Sequence, residues 1–269
     1  MAATGNLRAR SPTATSSWGA SGRGSARAAL WIRLGCAAGV ALGWEALARS
    51  GLLLRDVVPS LLAIVAAMGR LLVDPAFYGN LAVTGWEVAA SLAIGTAAGV
   101  FVGILLGANR FLSRAYEPYV YYLAPTPRII LFPIMIMWFG VGMASKIALG
   151  ALSCFFTVAL STAAGMRGID KTLIKVGRGF RATPWQMATK IYLPAMRTPV
   201  LTGVRLGFGT AVITALLAET KLSNQGLGYM VMQIYQTFNM AALYGLLAII
   251  FVIAGAGNVL LGRLSGGRG

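Results

Sequence analysis

The chain has 269 residues, 57% of them hydrophobic and only 11% charged. Soluble domains carry about 25% charged residues, so this composition excludes an ordinary soluble globular domain. The formal net charge is +16, but the cations fall in patches separated by long uncharged stretches. That is the cytoplasmic bias of a membrane protein rather than the aromatic-laced basic groove of a nucleic-acid binder. The chain has no His, which excludes Ser-His-Asp and Cys-His catalysis, H-E-x-x-H zinc sites and haem ligation through His. Cys36 and Cys154 stand in separate apolar segments and suggest neither a disulfide framework nor a CxxC metal site.

In chain order, residues 1–28 are rich in Ser, Gly, Ala and Arg without an apolar period, which predicts a disordered basic tail. A cleaved signal peptide is the rival reading, since Ala46-Leu47-Ala48 mimics a cleavage site. The tail is too long for an ordinary n-region, so an uncleaved first helix is expected. Spanning a hydrocarbon core about 30 Å thick takes roughly 20 apolar residues. Six segments approach or exceed that length: 29–50, 84–107, 117–139, 146–166, 198–220 and 240–262. The second carries Gly95, Gly99, Gly103 and Gly107, one helix face on which a neighbouring backbone can approach closely. The third holds Pro118, Pro125, Pro127 and Pro133. Residues 58–72 are too short to span and are expected either on the membrane surface or against the bundle. An amino terminus inside the cell would place both termini, a 108–116 loop and the basic 167–197 segment in the cytoplasm.

The 167–197 segment carries six Lys or Arg against one acid, Asp170, in its first 24 residues, yet apolar residues recur at helical spacing: Leu173, Val176, Phe180, then Trp185, Met187 and Ile191. Thr183-Pro184-Trp185-Gln186 has the form of a helix start, with Thr as N-cap, Pro at N1 and Gln closing a capping box. The expectation is two short helices with a sharp turn at 181–183, the second ending at Leu193-Pro194. A docking surface for a partner protein and adsorption on anionic lipid both fit such a segment.

This segment resembles the EAA loop of binding-protein-dependent ABC importers, whose pattern is E-A-A, three residues, Gly, nine residues, then I-x-L-P. Here Lys175-Val176-Gly177 stand at the E-A-A positions, Arg181 at the Gly position, and Ile191-Tyr192-Leu193-Pro194 closes the motif. Leu131-Phe132-Pro133 through Trp138-Phe139-Gly140-Val141-Gly142, then Gly226-Leu227-Gly228-Tyr229 and Val58-Pro59-Ser60, are similar to elements of nitrate/sulfonate/taurine-type permeases. The likeness covers about residues 30–262. It implies an all-α membrane protein with six transmembrane helices in the type I ABC importer permease fold. The implied organisation is the tail (1–28), a first transmembrane helix with an external helix (29–80), and a transmembrane core (81–263) holding a coupling loop at 167–195.

The same resemblance implies the partners: two ATP-binding-cassette subunits, a second copy of the permease, an extracytoplasmic solute-binding protein and the lipid bilayer of the bacterial inner membrane, with no cofactor and no nucleic acid. The implied ATPase-coupling residues are Phe180, Arg181, Ala182, Thr183, Pro184, Trp185, Ile191, Leu193 and Pro194. The chain has no G-x-x-x-x-G-K-[ST] loop to cradle ATP. A secondary transporter or channel working alone would not need the folded EAA-like loop, and a membrane enzyme finds no catalytic constellation among seven acids and no His.

For the pathway the candidates are Arg128, Thr210 and Thr214. Arg128, between Pro127 and two Ile, is a costly intramembrane charge that either attracts an anion or pairs with Glu87, Glu117 or Glu219. Thr210 and Thr214 lie at helical spacing and face either the path or their own helix backbone. Glu219 is expected in a local salt bridge near Lys221.

Overall fold

The structure is a computed structural model that describes residues 22–50 and 57–265. All regular structure among them is helical. The described residues fall into two compact units, 22–50 and 57–265. The first holds α1 (Gly22–Arg49), which carries a Glu45–Arg49 ion pair one turn apart. Most of the tail expected at 1–28 lies outside the described residues.

The second unit begins with α2 (Leu61–Val73), whose first turn is capped by the Ser60 hydroxyl accepting from the Ala63 N–H. Of the two expectations for this segment, packing against the bundle holds. Leu71 joins Phe77, Leu227, Met230, Leu246, Ile249 and Ile250 in one buried cluster. A single residue, Asp74, closes α2 and caps α3 (Pro75–Ala108), where Pro75 occupies the first turn that needs no N–H.

The α3 helix is 34 residues long and runs directly to Asn109, whose side chain accepts from the N–H groups of Phe111 and Leu112 to start α4 (Arg110–Leu123). The 108–116 loop expected from the sequence is therefore one capping residue. The third span is also not one rod. After α4 the chain breaks at 124–127, makes a 3₁₀ turn at Arg128–Leu131, and continues as α5 (Phe132–Phe139) at a bend of 92°. Pro125 and Pro127 lack the N–H groups that would extend α4.

The centre of this unit is α6 (Met143–Arg167), packed along both α3 and α9. Leu149, Cys154, Val158, Ala159, Thr162 and Ala163 have no exposed surface. The α3–α6 seam is the glycine face read from the sequence. A Cβ at Gly95 would sit 2.8 Å from Cys154 Cβ, at Gly99 2.8 Å from Val158 Cβ, at Gly103 2.5 Å from Thr162 Cβ and at Gly107 2.5 Å from Met166 Cβ. Real side-chain atoms do not approach that closely, so any larger residue forces the helices apart. Gly103→Val is expected to cost about 1–3 kcal/mol by overpacking. The thermal midpoint of the purified protein in detergent checks it, with Gly85→Ala, where a Cβ meets nothing, as the tolerated comparison.

Helix α7 (Lys171–Gly179) is followed by α8 (Pro184–Met187), a π-turn at Ala188–Tyr192 and α9 (Leu193–Lys221). From Pro184 to Lys221 the chain is one continuous helix of 38 residues. This corrects the expected stop at Leu193-Pro194. The Leu193 N–H donates to the Ala188 carbonyl, five residues back. The wider π-turn re-spaces the ladder where Pro194 has no N–H to give, so the helix passes through instead of ending. Two further helices, α10 (Leu227–Gln236) and α11 (Met240–Ser265), complete the unit.

By length and composition, four helices among the described residues can cross a membrane: α3, α6, the Pro184–Lys221 helix and α11. The bent α4–α5 pair would be a fifth. The sequence predicts six. The missing one corresponds to α1, which carries Arg33, Glu45 and Arg49.

Candidate coupling and pathway sites

The 167–197 segment folds as a hairpin of helices. Asp170 caps α7 by accepting from the Thr172 N–H at 2.7 Å, and that hydrogen bond holds its carboxyl below the usual carboxylate range. The helix closes with paired bonds, Arg181 N–H to the Arg178 carbonyl and Ala182 N–H to the Gly177 carbonyl. This is the Schellman arrangement, and it requires a left-handed residue just past the helix end. That residue is Arg181, at φ +50°. It is the position where the importer pattern has Gly, so the tight turn survives a residue that pays roughly 1–2 kcal/mol to adopt it. The capping box expected at Thr183 is complete. Gln186 N–H donates to Thr183 Oγ1 at 3.3 Å, and Thr183 N–H donates to Gln186 Oε1 at 2.9 Å.

The two arms of the hairpin meet at Gly177, which is buried under Met187 and Ile191. A Cβ there would lie 2.5 Å from Met187 Sδ and 2.6 Å from Ile191 Cδ1. The contact fixes the arms while leaving the tip bare, with Phe180 84% and Trp185 76% exposed. Leu173 and Val176 are half exposed on the same face of α7 as Phe180, and Leu193 is exposed further on. Of the other expected coupling residues, Arg181, Thr183, Pro184 and Pro194 are exposed, while Ala182 and Ile191 are partly covered.

Arg128 is not paired with a carboxylate among the described residues. Its Nη2 donates to the carbonyls of Leu123 and Ala124, the last turn of α4, and its guanidinium lies 5.1 Å from the centre of the Phe156 ring. Nε is buried without a hydrogen-bond partner. Arg128 therefore holds the broken end of α4, where unpaired carbonyls would otherwise face the bend. The three acids considered as its partners are engaged elsewhere. Glu117 takes both Nη atoms of Arg167 at 2.6 and 2.7 Å.

The other two acids form a buried polar knot that the sequence did not reveal. Glu87 Oε1 is 2.6 Å from Lys146 Nζ, and the two side chains are 0% and 4% exposed. Lys146 also donates to Ser223 Oγ at 2.8 Å. Glu219, 1% exposed, lies within hydrogen-bonding reach of Glu87. It is not in the expected local salt bridge. Its two oxygens accept from Thr84 Oγ1 at 2.7 Å and from the Gly228 N–H at 2.6 Å. Asn80 and Thr84 accept from the N–H groups of Gly226 and Leu227. The amino end of α10 is thus seated on α3 and α9, with a carboxylate at its positive pole. The Gly226-Leu227-Gly228 run follows from this seat. Gly226 has φ +109°, and side chains at Gly226 or Gly228 would overlap Glu219. An isolated Lys and two Glu within long apolar helices were the available signal.

Thr214 donates to the Thr210 carbonyl at 2.7 Å and lies 3.1 Å from Ser153 Oγ, and Thr210 donates to the Gly207 carbonyl at 2.9 Å. Both hydroxyls are engaged by their own helix and the α6–α9 seam.

A helical membrane bundle whose broken third span and protruding hairpin interrupt otherwise regular packing is the architecture of a transport subunit. The chain belongs to the family of binding-protein-dependent transport system inner membrane components, whose model matches residues 95–266. It is 32% identical to a putative aliphatic sulfonates transport permease protein of Bacillus subtilis, over 72% of this chain and 70% of that one. It is 28% identical to the taurine transport system permease protein of Escherichia coli, over 74% and 72%. A chain of the inward-facing MetNI methionine ABC transporter has the same fold, with a TM-score of 0.56 at 23% identity over 73% of this chain and 97% of that one.

Proposed function

We propose that the chain is the permease subunit of an ATP-driven importer for a small sulfonate, such as zwitterionic taurine or an alkanesulfonate anion. The observation that carries the substrate class is its similarity, across about three quarters of its length, to permeases named for aliphatic sulfonates and for taurine. In this reading α1 is the first of six spans, both termini lie in the cytoplasm, and two copies of the chain enclose the path. ATP is bound by two separate cassette subunits, because the chain carries no phosphate-cradling loop of its own. Those subunits seat on the hairpin tip, with Phe180 and Trp185 as anchors flanked by Arg181, Ala182, Thr183, Pro184, Ile191, Leu193 and Pro194. An extracytoplasmic binding protein delivers the solute.

Arg128 is the cation proposed to meet the sulfonate group as it crosses the bend between α4 and α5. Its charge is permanent at any accessible pH, and its fork suits sulfonate oxygens. Thr210 and Thr214 support the α6–α9 seam through their bonds to Ser153 and to their own helix.

The test is uptake of radiolabelled taurine and ethanesulfonate into proteoliposomes holding the permease, its cassette subunits and its binding protein. Uptake that requires ATP and saturates with one of these sulfonates is expected. Arg128→Gln is expected to raise the half-saturation or lower the rate per assembled complex. ATP-dependent uptake of a cationic or neutral solute with sulfonates ignored would overturn the substrate class. Unchanged uptake per complex in Arg128→Gln would remove that residue from the path.

A further inference from the structure

Where α3 and α6 end, the structure holds a cavity of about 730 Å³ whose wall carries Arg110, Arg114, Arg167, Lys171 and Arg178. Three different elements supply these cations: α4, the last turn of α6, and both ends of α7. Arg167 is bound to Glu117. The other four have no ion-pair partner among the described residues. Asp170, the nearest remaining acid in sequence, is held on the α7 cap. Cations so concentrated repel one another unless an anion joins them.

A second cavity of about 840 Å³ shares Met166 and Tyr192 with the first. It is walled by apolar residues of α3 and α9, among them Val100, Ile104, Val200 and Leu201, with Arg197 beside them. The pair of cavities therefore places a basic chamber beside an apolar groove, at the end of two membrane-crossing helices. Neither is lined by Phe180 or Trp185, although Leu193 and Pro194 of the coupling segment stand on the wall of the groove.

We infer that this chain binds one anionic phospholipid, with the phosphate-bearing headgroup among Arg110, Arg114, Lys171 and Arg178 and an acyl chain in the groove beside Ile104 and Val200. A free phosphate would satisfy the chamber but leave the groove empty. The shared wall at Met166 and Tyr192 favours a ligand with both parts, and basic pockets at the ends of membrane-crossing helices suit lipid headgroups. Because α7 forms one wall, an occupied site ties the hairpin to the ends of α3 and α6.

The test uses the purified complex of permease and cassette subunits in detergent, with lipid adducts counted by native mass spectrometry. Phosphatidylglycerol is expected to bind the complex well above phosphatidylcholine, and glycerol 1-phosphate is expected not to displace it. Arg110→Gln with Arg114→Gln should weaken phosphatidylglycerol by about thirtyfold, two cations at roughly 1 kcal/mol each. Val200→Trp, which fills the groove and leaves the chamber charged, should also weaken it. Retention of the cassette subunits in each variant shows that the complex is intact. Equal binding of the two lipids, or adducts unchanged in both variants, would overturn the inference. Full displacement by glycerol 1-phosphate would assign the chamber to a soluble anion. Loss of the cassette subunits with lipid retained would assign it to the ATPase.

Discussion

Lys146→Met is expected to remove most of the assembled protein from the membrane. The pair it breaks is fully enclosed, with Glu87 Oε1 2.6 Å from Lys146 Nζ and both side chains out of reach of solvent. Removing one partner of a buried pair leaves an uncompensated charge and typically costs about 3–5 kcal/mol. Two circumstances place this site at the upper end. Glu219 stands within hydrogen-bonding reach of Glu87, so the loss leaves two acids together. Lys146 also anchors Ser223 in the segment that leads into α10. Glu219 in turn holds the amino end of α10 through the Gly228 N–H. Glu87→Gln combined with Lys146→Met removes both charges and is expected to recover most of the protein, since an apolar or neutral replacement of a buried pair is often close to neutral. Detergent-solubilised thermal midpoints and membrane yields for the two single variants and the double variant check the pattern. Equal yields for Lys146→Met and wild type would mean that the pair is hydrated in the bilayer.

Trp185→Glu is expected to uncouple transport while leaving the chain inserted and folded. Trp185 is 76% exposed and contributes little to the hairpin's own packing, which rests on Gly177, Met187 and Ile191. Its substitution therefore tests the partner rather than the fold. Losing an aromatic anchor commonly costs 2 kcal/mol or more of binding, about thirtyfold in affinity, and an added carboxylate in an apolar pocket costs further. Stimulation of the cassette subunits' ATP hydrolysis by the permease should fall with the same substitution. Phe180→Ala should do the same to a smaller degree. Normal stimulation in Trp185→Glu would remove the tip from the interface.

Much of this was legible in the sequence because it is written in short-range spacing. The glycines at 95, 99, 103 and 107 share a helix face, and that face is the α3–α6 seam. Thr183 and Gln186 are three apart, and they close the capping box. What was not legible depends on contacts between distant segments. Glu87, Lys146 and Glu219 are far apart in the chain, and nothing local marks them as neighbours. Sequence proximity points Glu219 to the nearest cation, Lys221, but its partners lie on α3 and at the start of α10. The π-turn at 188–192 is likewise invisible to a rule that ends helices at proline. The rule fails where the ladder widens by one residue before the proline arrives. Arg181 illustrates the reverse case. Its side chain argues against a left-handed turn, but the paired bonds from Arg181 and Ala182 back to α7 impose it.

The central claim is that a separate ATPase drives this permease through the tip of the 171–194 hairpin, and site-directed cross-linking tests it most directly. Cys36 and Cys154 would first be replaced by Ala, and a single Cys placed at Trp185 in the assembled transporter. Treatment with a short reagent that carries a maleimide for this Cys and a photoactivated diazirine, which inserts into any neighbouring residue, should join the permease to a cassette subunit, with a yield that changes when ATP binds. A Cys at Leu222, at the far end of α9, should capture no cassette subunit. Capture from position 222 with none from position 185 would contradict the account.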